Sequence, residues 1–233
     1  MTAELDSAMR RQLRRRHAAR AAGMPRAGWK ICVNDPRAQA RLGLDGPFVG
    51  WLNGARIVDA GGTYAVPPGA RLMCEPEIAI RIGRADVAAT PGGARMAIAA
   101  LAPAFEVVDY GRLSPELGVI VETSSFHDGA VIGGERPPSS APVLSPECPV
   151  LLRNGTAAGV PDPGLVPADL SSIVRHVATS LASYGEELRE GDWILSGACA
   201  APMPARPGDV LSADFGPLGV VAVTIRREGE EEE

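Results

Sequence analysis

The chain has 233 residues and is 45% hydrophobic, enough to bury a substantial core. Its formal net charge of −5 argues against an electrostatic grip on nucleic acid or on an anionic membrane, which leaves small molecules and other subunits as the expected partners. No apolar run approaches the roughly 18 residues that span a bilayer, and the start from Met1 to Arg16 is too charged for a signal-peptide core, so a cytoplasmic location is expected.

The first segment, 4–22, is rich in Ala, Leu and Arg and is followed by Gly23 and Pro25, which predicts a helical N-terminal arm over 1–25. Its arginines are opened by Glu4 and Asp6, so the segment reads as a solvated helix face or a subunit contact. Beyond Pro25 short apolar runs alternate with Gly, Pro, Asn and Asp, the punctuation of strands and turns. Strands are predicted over 29–33, 47–52, 75–82, 102–109, 119–122, 130–132, 150–154, 192–195, 210–215 and 220–225. Two helices are expected among them, 92–100 and 167–188, the second with Asp169 as cap. Residues 214–219 read as a hairpin turn, 137–149 as an ordered surface loop, and 228–233 as an acidic tail. The pattern is that of a β-rich α+β chain with one main domain over 26–227. Cys32, Cys74, Cys148 and Cys199 form no CxxC pair, so neither a zinc cluster nor a disulfide framework is signalled.

The segment with the most chemistry is 74–83. Residues two apart on a strand share a face, so Glu75 and Glu77 present their carboxylates side by side. Two such charges repel unless a proton or a cation lies between them, and a hard divalent ion is one solution. On the pair alone a solvated strand face is the favoured reading. Glu106 adds a third carboxylate from within an apolar run, Ala102 to Val108, where an ionised side chain needs a cation or several donors. Lys30 is the only lysine of the chain, and a lysine's pKa, unlike an arginine's, can be tuned by burial for proton transfer.

These blocks, in this order, resemble the 2-keto-4-pentenoate hydratase and 4-oxalocrotonate decarboxylase family of the fumarylacetoacetate hydrolase-like superfamily. The resemblance rests on Gly28-Trp29-Lys30-Ile31, on Glu75-Pro76-Glu77, on Pro103-Ala104-Phe105-Glu106-Val107-Val108-Asp109, on Ser124-Ser125-Phe126-His127, and on Leu195-Ser196-Gly197 with Arg206-Pro207-Gly208-Asp209 and residues 213–219. It covers about 28–225. It implies a mixed β-roll like the C-terminal domain of the superfamily, and a homo-oligomer of two or more subunits. It further implies Mg2+ or Mn2+ on Glu75, Glu77 and Glu106, catalysis by Lys30 with His127 as a candidate base, and substrate contacts from Ser124, Ser125, Ser196 and Gly197.

The activity implied is that of a metal-dependent lyase acting on a 2-oxo acid through a chelated enolate. Hydration of a 2-hydroxy-2,4-dienoate is the first expectation and decarboxylation of a 4-oxalocrotonate-like acid the second. An acylpyruvate-type C–C hydrolase and a non-catalytic or isomerase-like homologue remain alternatives. One departure bears on this choice. The acidic residue that assists the lysine in the family's hydratases is replaced at Ala55, with Asp59 as a possible substitute if the loop is rearranged.

Overall fold

The computed structural model describes residues 3–90, 92–138, 149–159 and 162–230. Most of the expected 137–149 loop, together with Cys148 and the last residues of the acidic tail, lies outside them.

In chain order the elements are α1 (Ala3–Ala21), β1 (Gly28–Cys32), α2 (Pro36–Leu42), β2 (Phe48–Trp51), β3 (Ile57–Asp59), β4 (Thr63–Val66), β5 (Leu72–Ile82), α3 (Gly93–Met96), β6 (Ile98–Asp109), α4 (Leu117–Glu122), β7 (His127–Ile132), β8 (Val150–Arg153), β9 (Thr156–Ala157), α5 (Leu170–Ala182), β10 (Trp193–Leu195), β11 (Met203–Pro204), β12 (Val210–Asp214) and β13 (Val220–Arg227). They form two mixed sheets. The larger runs β2-β1-β10-β5-β6-β7-β3, with β11 also paired to β5, and the smaller runs β4-β13-β12-β8-β9.

The long β5–β6 hairpin is the spine of the larger sheet. Its alternation separates two environments. Cys74, Ile78, Ile80 and Ile82 of β5, with Leu101, Phe105 and Val107 of β6, turn to the main core. There they join Leu211, Val221, Val223 and Ile225 of the smaller sheet and Ile173, Val177 and Leu181 of α5. The other face carries Glu75, Glu77, Ala79, Ala102, Ala104 and Glu106. Its apolar part is made mostly of small side chains, Ala79, Ala102, Ala104 and Ala130, packed with Leu52, Ile132 and Leu195 in a second buried cluster.

The N-terminal helix lies on the body through Leu5, Ala8, Met9, Gln12, Leu13 and Arg16, spaced to form one helix face. Arg16 is buried against Trp29 at 4.3 Å and bridges to Glu186 at 3.1 Å, so this arginine serves an internal contact. Asp169 caps α5 as expected, accepting from the Ser171 N–H at 2.9 Å.

Several expectations change. Residues 119–122 form the end of α4, not a strand: a short run of Val and Ile does not distinguish the two states, and its buried Ile120 and Val121 face α1 and its neighbours. The helix expected over 92–100 shrinks to the single turn of α3, because the alanine-rich residues from Ile98 onward pair with β5 and tertiary contact overrides propensity. The helix expected over 167–188 is confined to Leu170–Ala182. The short elements α2, β3, β4, β9 and β11 were not foreseen. The 214–219 turn does join β12 to β13, through one 3-10 turn.

Phe105 has no exposed surface and belongs to the main core, on the strand face opposite the carboxylates. Phe105→Ala is expected to cost about 3–5 kcal/mol in urea unfolding, while the protein that remains folded keeps its affinity for divalent cations.

Candidate metal centre

The β5–β6 register sets Glu75 directly opposite Glu106, with Glu77 one step along the same face. The three carboxylates each place an oxygen within 4.8 Å of the others. Glu77 and Glu106 are each 1% exposed, and Glu75 is partly exposed. Lys30 reaches this cluster from β1 and donates to Glu106 Oε1.

Two irregularities complete the arrangement. Along β5, strand neighbours stop at Ala79 on the β10 side and resume at Cys74 on the β11 side. The 196–199 segment fills this gap: the Ser196 N–H donates to the Ile78 carbonyl, Ser196 Oγ accepts from the Ile78 N–H, and the Cys199 N–H donates to the Pro76 carbonyl. Pro76, lacking a donor, suits a strand edge that is not fully paired. The segment carries Gly197, at φ 91°, whose N–H donates to Glu77 Oε2 at 2.8 Å. A Cβ at Gly197 would lie 2.8 Å from Asn34 Cβ, so both conformation and space favour glycine. Asn34 in turn donates to the Ser196 carbonyl at 3.3 Å.

The second irregularity is a bulge between β6 and β7. Glu106 pairs with Ala130 and Val107 with Gly129, but Val108 pairs with His127, so Asp128 is the extra residue. The bulge turns His127 onto the face of Glu106, and its Nδ1 lies 2.9 Å from Glu106 Oε1. His127 Nε2 accepts from the Asn53 N–H at 3.1 Å, which assigns the proton to Nδ1. Both ring nitrogens are therefore hydrogen-bonded, and His127 braces Glu106. Asp109 points away, as its alternation implies, capping the turn after β6 by accepting from the Gly111 and Arg71 N–H groups.

The electrostatics favour a cation. Burial, together with the charge of Glu106, raises the Glu75 carboxyl to about 7 and pushes Glu77 well above the carboxylate range. Burial also opposes the charge of Glu106, but Lys30 and the His127 hydrogen bond outweigh it and hold this carboxyl low. For Lys30 burial is outweighed by the surrounding carboxylates, so its ammonium is held above the ordinary lysine range. Lys30 was expected as an acid/base or enolate-stabilising group, and its surroundings hold it as an ammonium. Burial drives the His127 imidazole down, keeping it neutral. Three carboxylates thus face one ammonium, an excess of negative charge that a divalent cation would offset. An all-oxygen donor set of this kind fits a hard ion such as Mg2+ or Mn2+.

The serines are placed around this cluster with unequal freedom. Ser196 Oγ is bound to its own loop and to the Ile78 N–H, at 3.1 Å. Ser124 Oγ accepts from the Trp51 N–H at 3.3 Å. Ser124, Ser125 and Phe126 are all left-handed, with φ 53°, 56° and 63°, an uncommon run that directly precedes His127. The Arg112 guanidinium, near the Phe126 and His127 carbonyls and bonded to Asp109 at 3.0 Å, helps hold that turn. Asn34, Asn53 and Arg112 are contributors that no sequence spacing revealed. Ala55 sits exposed on a 3-10 turn, and Asp59, also exposed, pairs with Ile132 at the far end of β7. Five residues of strand, on the order of 16 Å, separate that position from His127.

No family model matches the chain. A curated relative, 4-oxalocrotonate decarboxylase from Pseudomonas sp, is 28% identical over 203 residues, covering 84% of this chain and 77% of its own. The solved structure of 4-oxalocrotonate decarboxylase from Pseudomonas putida G7, complexed with magnesium and adipate, superposes with a TM-score of 0.81 at 23% identity, over 97% of this chain and 86% of that one. The chain shares the fold of 4-oxalocrotonate decarboxylase. Fumarylpyruvate hydrolase from Pseudomonas aeruginosa, in complex with Mn2+ and pyruvate, is a more distant match, with a TM-score of 0.64 at 17% identity over 88% of this chain and 91% of that one. The resemblance to the fumarylacetoacetate hydrolase-like superfamily read from the sequence is thereby borne out.

Carboxylates must lose their protons to bind a metal, so the raised Glu75 and Glu77 make affinity pH-dependent. Mg2+ or Mn2+ affinity is expected to rise with pH through about 7, with protons released on binding at about pH 6. Calorimetry in buffers of different ionisation heat measures both, and an affinity flat across this range would contradict the assignment. Glu77→Gln is expected to weaken Mn2+ binding by more than the ~10–100-fold typical of losing an outer-shell partner.

Proposed function

We propose that this protein is a Mg2+- or Mn2+-dependent decarboxylase of a 2-oxo-3-enedioate of the 4-oxalocrotonate type. The observation that carries the proposal is the buried Glu75–Glu77–Glu106 cluster with Lys30 against it, in a chain whose sequence relatives are 4-oxalocrotonate decarboxylases. The magnesium and adipate of the P. putida complex, a hard cation and a six-carbon diacid, are the ligand classes this donor set would accept.

Bound at the three carboxylates, the cation would chelate the 2-oxo acid end of the substrate and polarise its carbonyl, so that an electron pair can be accepted there as an enolate. The C5–C6 bond breaks, CO2 leaves, and the electron pair moves through the C3–C4 double bond to the C2 oxygen. One proton then gives 2-hydroxypenta-2,4-dienoate. Lys30, held as an ammonium beside Glu106, is the group poised to stabilise the growing negative charge and supply that proton. His127 fixes Glu106, Gly197 fixes Glu77, and burial keeps bulk water from the developing charge. The contacts expected from Ser124, Ser125 and Ser196 belong to this reading as donors to the chelating end.

Decarboxylation is favoured over the hydration first expected. Adding water needs an activated water and protons handled at two carbons, and the acidic partner for that work is missing where Ala55 stands, with Asp59 far off along the sheet. Decarboxylation needs one proton returned.

Incubation of a 2-oxohex-3-enedioate with Mg2+ is expected to release CO2 and yield the dienol, followed by NMR. Removing a metal ligand takes away several kcal/mol of transition-state stabilisation, so Glu106→Ala should lower kcat/KM by about 1000-fold, and Lys30→Met by about 100-fold. A product retaining all six carbons with water added would replace this reading with hydration.

A further inference from the structure

Exposure along the metal centre rises from the Glu77 end to the Glu75 end. Glu77, at the Gly197 end, is buried, Glu75 is partly exposed, and Met73, the next residue of β5 on that face, is partly exposed as well. On β6 the same face continues from Glu106 through Val108, and Tyr110 follows with the same parity because Asp109 is still extended. About 13 Å of strand separates Glu106 from Tyr110, close enough that the charges of Glu75 and Glu106 act on the phenol.

Tyr110 is held firmly at its backbone and free at its tip. Its N–H donates to the Arg71 carbonyl, and its own carbonyl accepts from the Arg71 guanidinium at 2.8 Å. The preceding Asp109 ties down the turn through the Arg71 and Gly111 N–H groups. The ring is partly buried, yet among the described residues its hydroxyl has no hydrogen-bond partner. Burial and the nearby charges of Glu75 and Glu106 keep the phenol protonated, pushing it up to about 12, so it is a donor at any working pH.

We propose that the Tyr110 hydroxyl is the donor that receives the far carboxylate of a 2-oxo diacid whose oxo-acid end lies at Glu75, Glu77 and Glu106. The assignment rests on the diacid substrate argued above. A neutral phenol suits a carboxylate that must leave: it orients the group without the full ion pair that an Arg or Lys would supply, and so stabilises the bound ground state less. The residue therefore sets selectivity for a diacid over a monoacid of the same length.

The test uses two ligands that share the chelating end and differ only at the far carboxylate, 2-oxoadipate and 2-oxohexanoate, measured by calorimetry in the presence of Mg2+. Wild type is expected to bind 2-oxoadipate at least ten-fold more tightly, and Tyr110→Phe to abolish that preference while leaving Mn2+ affinity, pyruvate affinity and the thermal midpoint unchanged. No preference in wild type, or a preference that survives in Tyr110→Phe, overturns the proposal. Because these ligands need not turn over, a protein that shows the preference but releases no CO2 from the unsaturated diacid would refute the decarboxylase reading and leave the role of Tyr110 standing.

Discussion

Mutual repulsion among three carboxylates on one face of a sheet, two of them buried, is the constraint around which the rest of the structure is arranged. Such charges cannot share a low-dielectric site without compensation. Lys30 supplies part of it and His127 and the Gly197 N–H direct the oxygens, yet Glu75 and Glu77 still resist ionisation. A divalent cation held by the three glutamates would offset the charge that these groups leave uncompensated.

The sheet accommodates this load by departing from regular pairing beside the carboxylates. The unpaired stretch of β5 admits the 196–199 segment that delivers the Gly197 N–H, and the bulge at Asp128 turns His127 inward. The same bulge leaves Asp128 to bond Tyr64 and Arg56, at 2.8 and 2.9 Å, so the displaced residue is itself satisfied. Alanines elsewhere on that face pack with Leu52, Ile132 and Leu195, while the opposite face of the same strands carries the bulky core. One alternating pattern thus serves stability on one side and chemistry on the other.

Much of the site was legible because its signal is local. Glu75 and Glu77 are two apart on a strand and Glu106 is anomalous in an apolar run, which makes each a candidate, and the family resemblance is what implied that the three share one metal. Lys30 stood out as the only lysine. What stayed hidden depends on long-range pairing. The commitment of both His127 nitrogens needs Asn53 and a bulge, the upward shift of Lys30 needs carboxylates from two other strands, and the more exposed end marked by Tyr110 needs the β5–β6 register. The fold shows the same division. The two strands β5 and β6 and the body of α5 were expected, whereas the pairing of those strands was not, the run at 119–122 became helix and the alanine-rich start of β6 became strand, because their neighbours in space decided the outcome.

The central claim is that the three glutamates jointly bind one divalent cation, and anomalous diffraction from crystals grown with Mn2+ tests it most directly. A single strong anomalous peak about 2.1 Å from an oxygen of each of Glu75, Glu77 and Glu106 is the predicted result. A map with no peak there, or with the ion bound elsewhere and Lys30 still paired to Glu106, would contradict the account.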